Sequence, residues 1–138
     1  MCGSRLVGEM AFGGKELEVN ISQAKGLPQT SAFGKTDSYV KVRWNHKIIG
    51  RTAVAKGTLS PEWENERHML HLLGSTELSD CSLTMELWTW SLSGKGSFMG
   101  CVNVTGDDLI ELVEQNHHSP KWFKLGRCKY LPEKVQKL

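Results

Sequence analysis

The residues of this chain best suited to chemistry are aromatic and cationic side chains that alternate along one short segment. Tyr39, Lys41 and Arg43 alternate with apolar residues over positions 39–44, which is the period-two pattern of a half-buried strand. The three polar side chains therefore point to one face of the predicted strand. Two cations beside an aromatic ring suit the binding of anions, so this face is a candidate site for phosphate-bearing ligands.

The cations are concentrated in one part of the chain, although the net charge is only +2. From Ser38 to Pro61 there are five lysines and arginines and no acid, whereas Glu62–Glu86 contains six acids and one cation. This segregation predicts one locally positive edge of the domain. Arg51 follows a predicted turn over Asn45–Gly50 and is expected on the next strand, where it would extend the cationic face.

The histidines and glycines do not form a catalytic pattern. His68 and His71 lie three residues apart, which on a strand sends them to opposite faces, and His117-His118 has no spaced Cys or carboxylate partners for zinc. Gly94-Lys95-Gly96 is too short for a phosphate loop. A binding module without catalytic activity or cofactor is therefore predicted. Nucleic acid is not an expected partner, because the basic stretch lacks the spaced exposed aromatics that stack on bases.

Length and composition favour one folded domain. The 138 residues are 39% hydrophobic and 23% charged, a globular composition. No apolar run reaches the roughly 20 residues of a membrane span, so any membrane contact would be peripheral. The four scattered cysteines lack a C-x-x-C pair, and no signal peptide is recognised, so reduced thiols and a cytoplasmic location are expected. We expect a monomeric module of a larger intracellular protein.

Short alternating runs broken by Gly, Pro, Asn and Ser predict an all-β, antiparallel β-sandwich of about eight strands. One helix is predicted from Asp108 to Glu114, where Asp107 or Asp108 caps its start and Glu111 completes a capping box. Residues 127–138 are expected to form a tail or linker, which leaves 5–126 as the domain. The predicted strands lie at 5–12, 17–22, 39–44, 51–55, 64–72, 83–88, 100–104 and 121–125.

Several segments resemble signatures of the C2 domain family. Residues 34–42 and 58–64 carry the two strongest, and Ala24–Pro28, Phe98–Gly100 and Trp122–Leu125 match further segments in the right order. The resemblance covers residues 5–126 and implies an eight-stranded sandwich, with a strand arrangement like that of synaptotagmin. The family is best known for holding calcium between aspartate-rich loops.

The resemblance implies five calcium-ligand positions, of which one holds an aspartate. Calcium takes six to eight oxygen ligands and needs carboxylates to offset its charge. One carboxylate with neutral hydroxyls does not meet that need, so no metal site is predicted. Asp37 is instead expected to cap the turn into the strand that holds Tyr39. The five positions fall on Ser31, Asp37, Thr89, Ser91 and Ser97.

The resemblance also implies two surfaces for lipid. C2 domains of the protein kinase C type bind phosphoinositide headgroups in a concave groove, whose pattern falls on Tyr39, Lys41, Arg43, Arg51 and Trp88, with Ile49 in place of a further lysine. The family presents apolar residues at its loop tips, here Phe33, Trp90 and Leu92, with Lys95 beside them. The predicted function is therefore calcium-independent, peripheral binding to anionic phospholipid or phosphoinositide membranes.

A protein-interaction scaffold without a lipid ligand is the alternative. The hydroxyl-rich loops Ser31–Thr36 and Thr89–Ser97 would not repel an acidic partner, and the acidic stretch Glu62–Glu86 would suit a basic one. Trp90 would then cap the end of the sandwich rather than contact a bilayer. No residue pattern in the chain names the partner.

Overall fold

Two four-stranded antiparallel sheets pack face to face in the computed structural model, which describes residues 3–28, 36–94, 96–115 and 119–127. Sheet A has the strand order β5-β2-β1-β8 and sheet B the order β4-β3-β6-β7. The predicted all-β sandwich of eight strands with one short helix is confirmed. The strands are β1 (Arg5–Gly13), β2 (Glu16–Lys25), β3 (Ser38–Trp44), β4 (Lys47–Arg51), β5 (Arg67–His71), β6 (Ser82–Thr89), β7 (Phe98–Thr105) and β8 (Lys121–Lys124).

The core lies between the inner faces of the two sheets and follows the alternation in the sequence. Leu17, Val19 and Ile21 of β2 are fully buried, as are Val40 and Val42 of β3. Their alternating neighbours point outward, because successive side chains of a strand lie on opposite faces of a sheet. The outer faces of sheets A and B therefore point in opposite directions and carry the polar side chains.

The turn between β3 and β4 is shorter than predicted. A turn over Asn45–Gly50 and a strand over Arg51–Ala55 were expected, but β4 spans Lys47–Arg51. Asn45 and His46 alone make the turn, with φ angles of 53° and 75°, as two-residue hairpin turns require. The Asn45 side chain accepts a hydrogen bond from the Ser82 amide at 2.9 Å, which anchors this turn to β6.

The helix α1 spans Gly106–Gln115 and confirms the predicted helix with slightly wider bounds. It buries Leu109, Leu112 and Val113, the three-to-four-residue spacing of one helix face. α1 packs beside a short 3-10 helix at Leu78–Asp80. Among the described residues, no helix has the length and apolar character needed to cross a membrane.

The connections β2–β3, β4–β5 and β6–β7 meet at one end of the sandwich, here called the loop end. Hydrogen bonds join them there: Thr58 N to Thr36 O at 3.0 Å, and Trp90 N to Asp37 O at 2.8 Å. The opposite end, with α1 and the β3–β4 turn, is called the helix end. The loop end is where the groove and loop-tip residues of the described chain come together.

Two of the four cysteines lie in the described part of the chain. Cys81 is a free, buried thiol, and burial raises the pKa of that thiol. Cys101 is disulfide-bonded. The expectation of reduced thiols throughout is therefore wrong at Cys101, because proximity in the fold rather than a C-x-x-C spacing determines which cysteines pair.

Candidate functional site

Four of the five predicted groove residues form two stacked pairs on the outer face of sheet B. Lys41 Nζ lies 4.2 Å from the centre of the Trp88 ring, and Arg51 Cζ lies 5.1 Å from the centre of the Tyr39 ring. The register explains both contacts, because Tyr39 is paired with Trp88 on β6 and Lys41 with Arg51 on β4. A cation over an aromatic face is held in place by the ring's negative face. This surface, with Lys41, Arg51, Tyr39 and Trp88, is called the groove below.

Arg43 departs from the prediction. It lies on the same face of β3 but is buried, and its Nε is 2.7 Å from Glu86 Oε2. Its Nη1 donates to the His46 carbonyl at 3.0 Å. Glu86 also accepts a hydrogen bond from Trp88 Nε1 at 3.0 Å. The charge of Arg43 is therefore neutralised inside the protein, and the groove depends on Lys41 and Arg51.

Sequence reasoning missed Glu86 as a member of this surface. Glu86 alternates with Met85 and Leu87 of β6 and so points to the same outer face as Trp88. The register places Glu86 directly opposite Lys41, which is two residues from Arg43 on the same face of β3. The alternation along β6, combined with an assumed β3–β6 pairing, would have identified Glu86 as a member of this surface.

A cleft of about 360 Å³ opens where the groove reaches the loop end. Strands β3 and β4 contribute Tyr39, Lys41 and Arg51 to its walls, and the β6–β7 connection contributes Thr89, Trp90 and Ser91. This volume lies at the small end of the usual range for ligand pockets. Burial raises the pKa of the Tyr39 phenol, against the opposite effect of Arg51. The phenol therefore keeps its proton at neutral pH and can donate a hydrogen bond to an anionic oxygen.

The loop positions that match calcium ligands make hydrogen bonds within the protein. Asp37 Oδ1 accepts from the Gly57 amide at 2.8 Å, so the carboxylate joins two loops. Thr89 Oγ1 accepts from the Ser97 amide at 2.7 Å, and Ser91 Oγ lies 2.9 Å from Ser93 Oγ. Within the described ranges, no three His, Cys, Asp or Glu side chains are grouped so as to hold a metal ion. Ser31 lies outside the described residues.

The two described loop-tip residues differ in exposure. Leu92 is 92% exposed and stands at the tip of the β6–β7 connection. Trp90 is half-buried, and Lys56 Nζ lies 5.5 Å from the centre of its ring. Lys56 is a second residue that sequence reasoning missed. The predicted contacts Phe33 and Lys95 lie outside the described residues.

Comparison with known sequences points to one family. The family model described as "C2 domain" matches residues 15–125. A mouse protein, "RasGAP-activating-like protein 1", is 30% identical over 113 residues, which cover 81% of this chain and 13% of that protein. Mouse "Ras GTPase-activating protein 4" is 28% identical over 110 residues, 79% of this chain and 12% of that protein. The chain therefore spans about an eighth of the length of these relatives.

Comparison with solved structures agrees with this. The C2A domain of RIM from Drosophila superposes with a TM-score of 0.73 at 22% identity, covering 91% of this chain and 99% of that one. The C2A domain of RIM2 superposes with a TM-score of 0.68 at 27% identity, covering 88% and 96% of the two chains. The first of these supports the fold alone.

Proposed function

Because this chain belongs to the C2 domain family, we propose that it binds anionic phospholipid membranes peripherally and without calcium, through the groove on sheet B. The observation that carries the proposal is the pair of cations stacked on aromatic rings, Lys41 on Trp88 and Arg51 on Tyr39. Both cations line the cleft at the loop end, and so does Tyr39, whose phenol is protonated at neutral pH. A phosphate group suits such a site, because it accepts hydrogen bonds from several donors at once.

The independence from calcium rests on the state of the loop carboxylate. Asp37 is the one aspartate at the five ligand positions, and its Oδ1 is already bonded to the Gly57 amide. Thr89 Oγ1 and Ser91 Oγ are likewise engaged with their own loop. A calcium ion would gain one carboxylate from these positions, far short of its usual oxygen shell.

The relatives suggest the setting of this activity. The chain matches about an eighth of two proteins, one named as RasGAP-activating-like and the other as Ras GTPase-activating. We infer that the domain brings a larger protein to the membrane and that it contributes no catalysis itself. The expected location is a membrane surface.

The proposal predicts that calcium does not change vesicle binding. Phosphatidylcholine vesicles that contain phosphatidylserine and a phosphoinositide are expected to bind the domain with affinities that differ by less than about twofold between calcium and chelator. Co-sedimentation or vesicle titration measures this, with pure phosphatidylcholine vesicles as the control that should not bind. Binding that appears only in calcium would overturn the proposal.

An apolar cleft at the helix end supports a second candidate, a protein-interaction scaffold. Phe12, Leu78, Ile110 and Val113 line a space of about 510 Å³ together with the acidic Glu77 and Glu114. Such a cleft suits an apolar side chain flanked by basic residues. Two results together would favour the scaffold. A synthetic peptide of that design would bind the parent but not Ile110→Arg, and the parent would show no binding to anionic vesicles.

A further inference from the structure

A row of three cations crosses sheet A at the loop end, on the face opposite to the groove. Arg5 of β1 lies directly opposite Lys25 of β2 on one side and Lys124 of β8 on the other. All three side chains are exposed. Strands in a sheet lie about 4.8 Å apart, so three like charges fall within roughly 10 Å. Arg5, Lys25 and Lys124 are called the cation row below.

The pairing of like charges in this row works against the fold. Like charges directly opposite one another destabilise a sheet, and the register creates two such pairs around Arg5. Within the described ranges, no carboxylate lies within ion-pair distance of the row. Glu62 forms an isolated β-bridge with Gln23, two residues from Lys25, but its carboxylate makes no ion pair with the row. Lys25 has one favourable contact, with the Trp122 ring, but a row of three exposed cations without a carboxylate partner suits an anionic ligand from outside the chain.

Trp122 adds an aromatic ring to the same face. Its side chain is 39% exposed, and Lys25 Nζ lies 4.3 Å from the centre of the ring. Trp122 is paired with Val7 of β1, two residues along the strands from the Arg5–Lys124 pair and on the same face. An amphipathic ring beside cations suits the headgroup region of a bilayer, where tryptophan is enriched.

The overall charge distribution directs the loop end toward an anionic surface. The helix end carries exposed acids at Glu77, Asp80, Asp107, Asp108, Glu111 and Glu114. The loop end carries the cation row on sheet A, Arg51 on sheet B and Lys56 in the β4–β5 connection. Exposed Lys15 and Lys47 at the helix end, and Glu62 and Glu64 in the β4–β5 connection, reduce this difference in charge without reversing it. Leu92 stands exposed at this end of the molecule. An electric dipole of this sense orients the domain with its loop end facing the membrane.

We propose that the cation row is a second contact for anionic lipid, used together with the groove on one membrane. This inference rests on the proposed function and adds an orientation to it: the loop end faces the bilayer, and cations of both sheets flank Leu92. A membrane lying flat on the groove face of sheet B would leave the row unused. An acidic protein segment is the competing occupant, and the experiment separates the two.

Charge reversal at Arg5 tests the proposal. Arg5→Glu converts both repulsive pairs into attractive ones and lowers the row from three positive charges to one. Binding to vesicles with phosphatidylserine and phosphoinositide is expected to weaken about 30-fold, while Tm rises by about 2–5 °C. The matched control is Lys47→Glu, which makes the same change of net charge at the exposed first residue of β4, at the helix end. The control should bind within about threefold of the parent, because the effect of a charge falls off within a Debye length.

Each other outcome counts against the inference in a recognisable way. Equal weakening by Arg5→Glu and Lys47→Glu would mean that only net charge matters. Normal binding of Arg5→Glu, alongside weakened binding of Lys41→Gln/Arg51→Gln, would overturn the row and leave the proposed function standing. Failure of the parent to bind any anionic vesicle would remove the proposed function itself. Binding of polyglutamate to the parent but not to Arg5→Glu, with vesicle binding unaffected, would assign the row to an acidic protein.

A second experiment tests whether the face that carries the cation row lies close to the bilayer, independently of the binding affinity. Vesicles that contain brominated anionic lipid are expected to quench the tryptophan fluorescence of the bound parent more than that of Trp122→Phe. The difference isolates Trp122 from the other four tryptophans of the chain. Equal quenching in the two proteins would place Trp122 away from the bilayer and overturn the orientation.

Discussion

Replacing Arg43 with alanine is expected to lower the free energy of unfolding by about 3–5 kcal/mol. Its Nε lies 2.7 Å from Glu86 Oε2, and the two side chains are only 9% and 1% exposed. The substitution removes the guanidinium beside the buried Glu86 carboxylate, and the loss of one partner of a buried ion pair is costly. Urea unfolding followed by circular dichroism measures the change.

A double variant separates the buried pair from the groove. Arg43→Met/Glu86→Leu removes both charges and should recover most of the lost stability, because apolar replacement of a buried ion pair is often close to neutral. The same variant should keep its vesicle binding, since the charge of Arg43 is neutralised inside the protein. Lys47→Ala, at an exposed position, is the control and should change stability by no more than about 0.5 kcal/mol. A folded double variant that no longer binds vesicles would show that the Arg43–Glu86 pair is needed for lipid binding, either directly or by holding Trp88 in place.

Strand alternation is a local property, and it predicted the faces of the strands well. The period-two runs around Leu17 and Val40 assigned the inner and outer positions that the structure has. The same pattern placed Tyr39, Lys41 and Arg43 on one face, and they do lie there. It could not tell that Arg43 is buried, because that depends on Glu86, which is 43 residues away in the chain.

The error at the β3–β4 turn has a different cause. Gly50 was interpreted as the end of a turn, but it lies within β4. A Cβ at this position would lie 3.3 Å from His68 Nδ1, which belongs to β5 of the other sheet. A side chain at this position would displace the His68 ring by a few tenths of an ångström where the two sheet edges approach, and only the packed structure reveals that. The same sheet contact buries the His68 ring and lowers its pKa.

The loop carboxylate illustrates the same limit. The sequence indicated that Asp37 is structural, and the observed bond to the Gly57 amide agrees with a role inside the protein. Its partner, however, is 20 residues away in another loop. The cation row was missed for a similar reason: Arg5, Lys25 and Lys124 are far apart in the chain and are brought together only by the register of three strands.

The groove variant Lys41→Gln/Arg51→Gln is expected to bind anionic vesicles about 30-fold more weakly than the parent. Each cation near an anionic surface contributes about 1 kcal/mol, so the loss of two corresponds to about 2 kcal/mol. The difference in vesicle affinity between parent and variant should decrease as the salt concentration rises, because mobile ions screen these attractions over about 10 Å at 0.1 M. Titration of vesicles with phosphatidylserine and phosphoinositide at two salt concentrations measures both effects.

The matched control places the same loss of charge at the other end of the molecule. Lys15→Gln/Lys47→Gln also removes two exposed cations, but at the helix end. If the groove is the site, this control should stay within about threefold of the parent, since the helix end lies beyond the reach of a screened surface potential. If both variants bound vesicles equally weakly, the groove cations would contribute only through the net charge of the protein. Unchanged binding of Lys41→Gln/Arg51→Gln would leave the stacked cations without a lipid ligand and favour the scaffold.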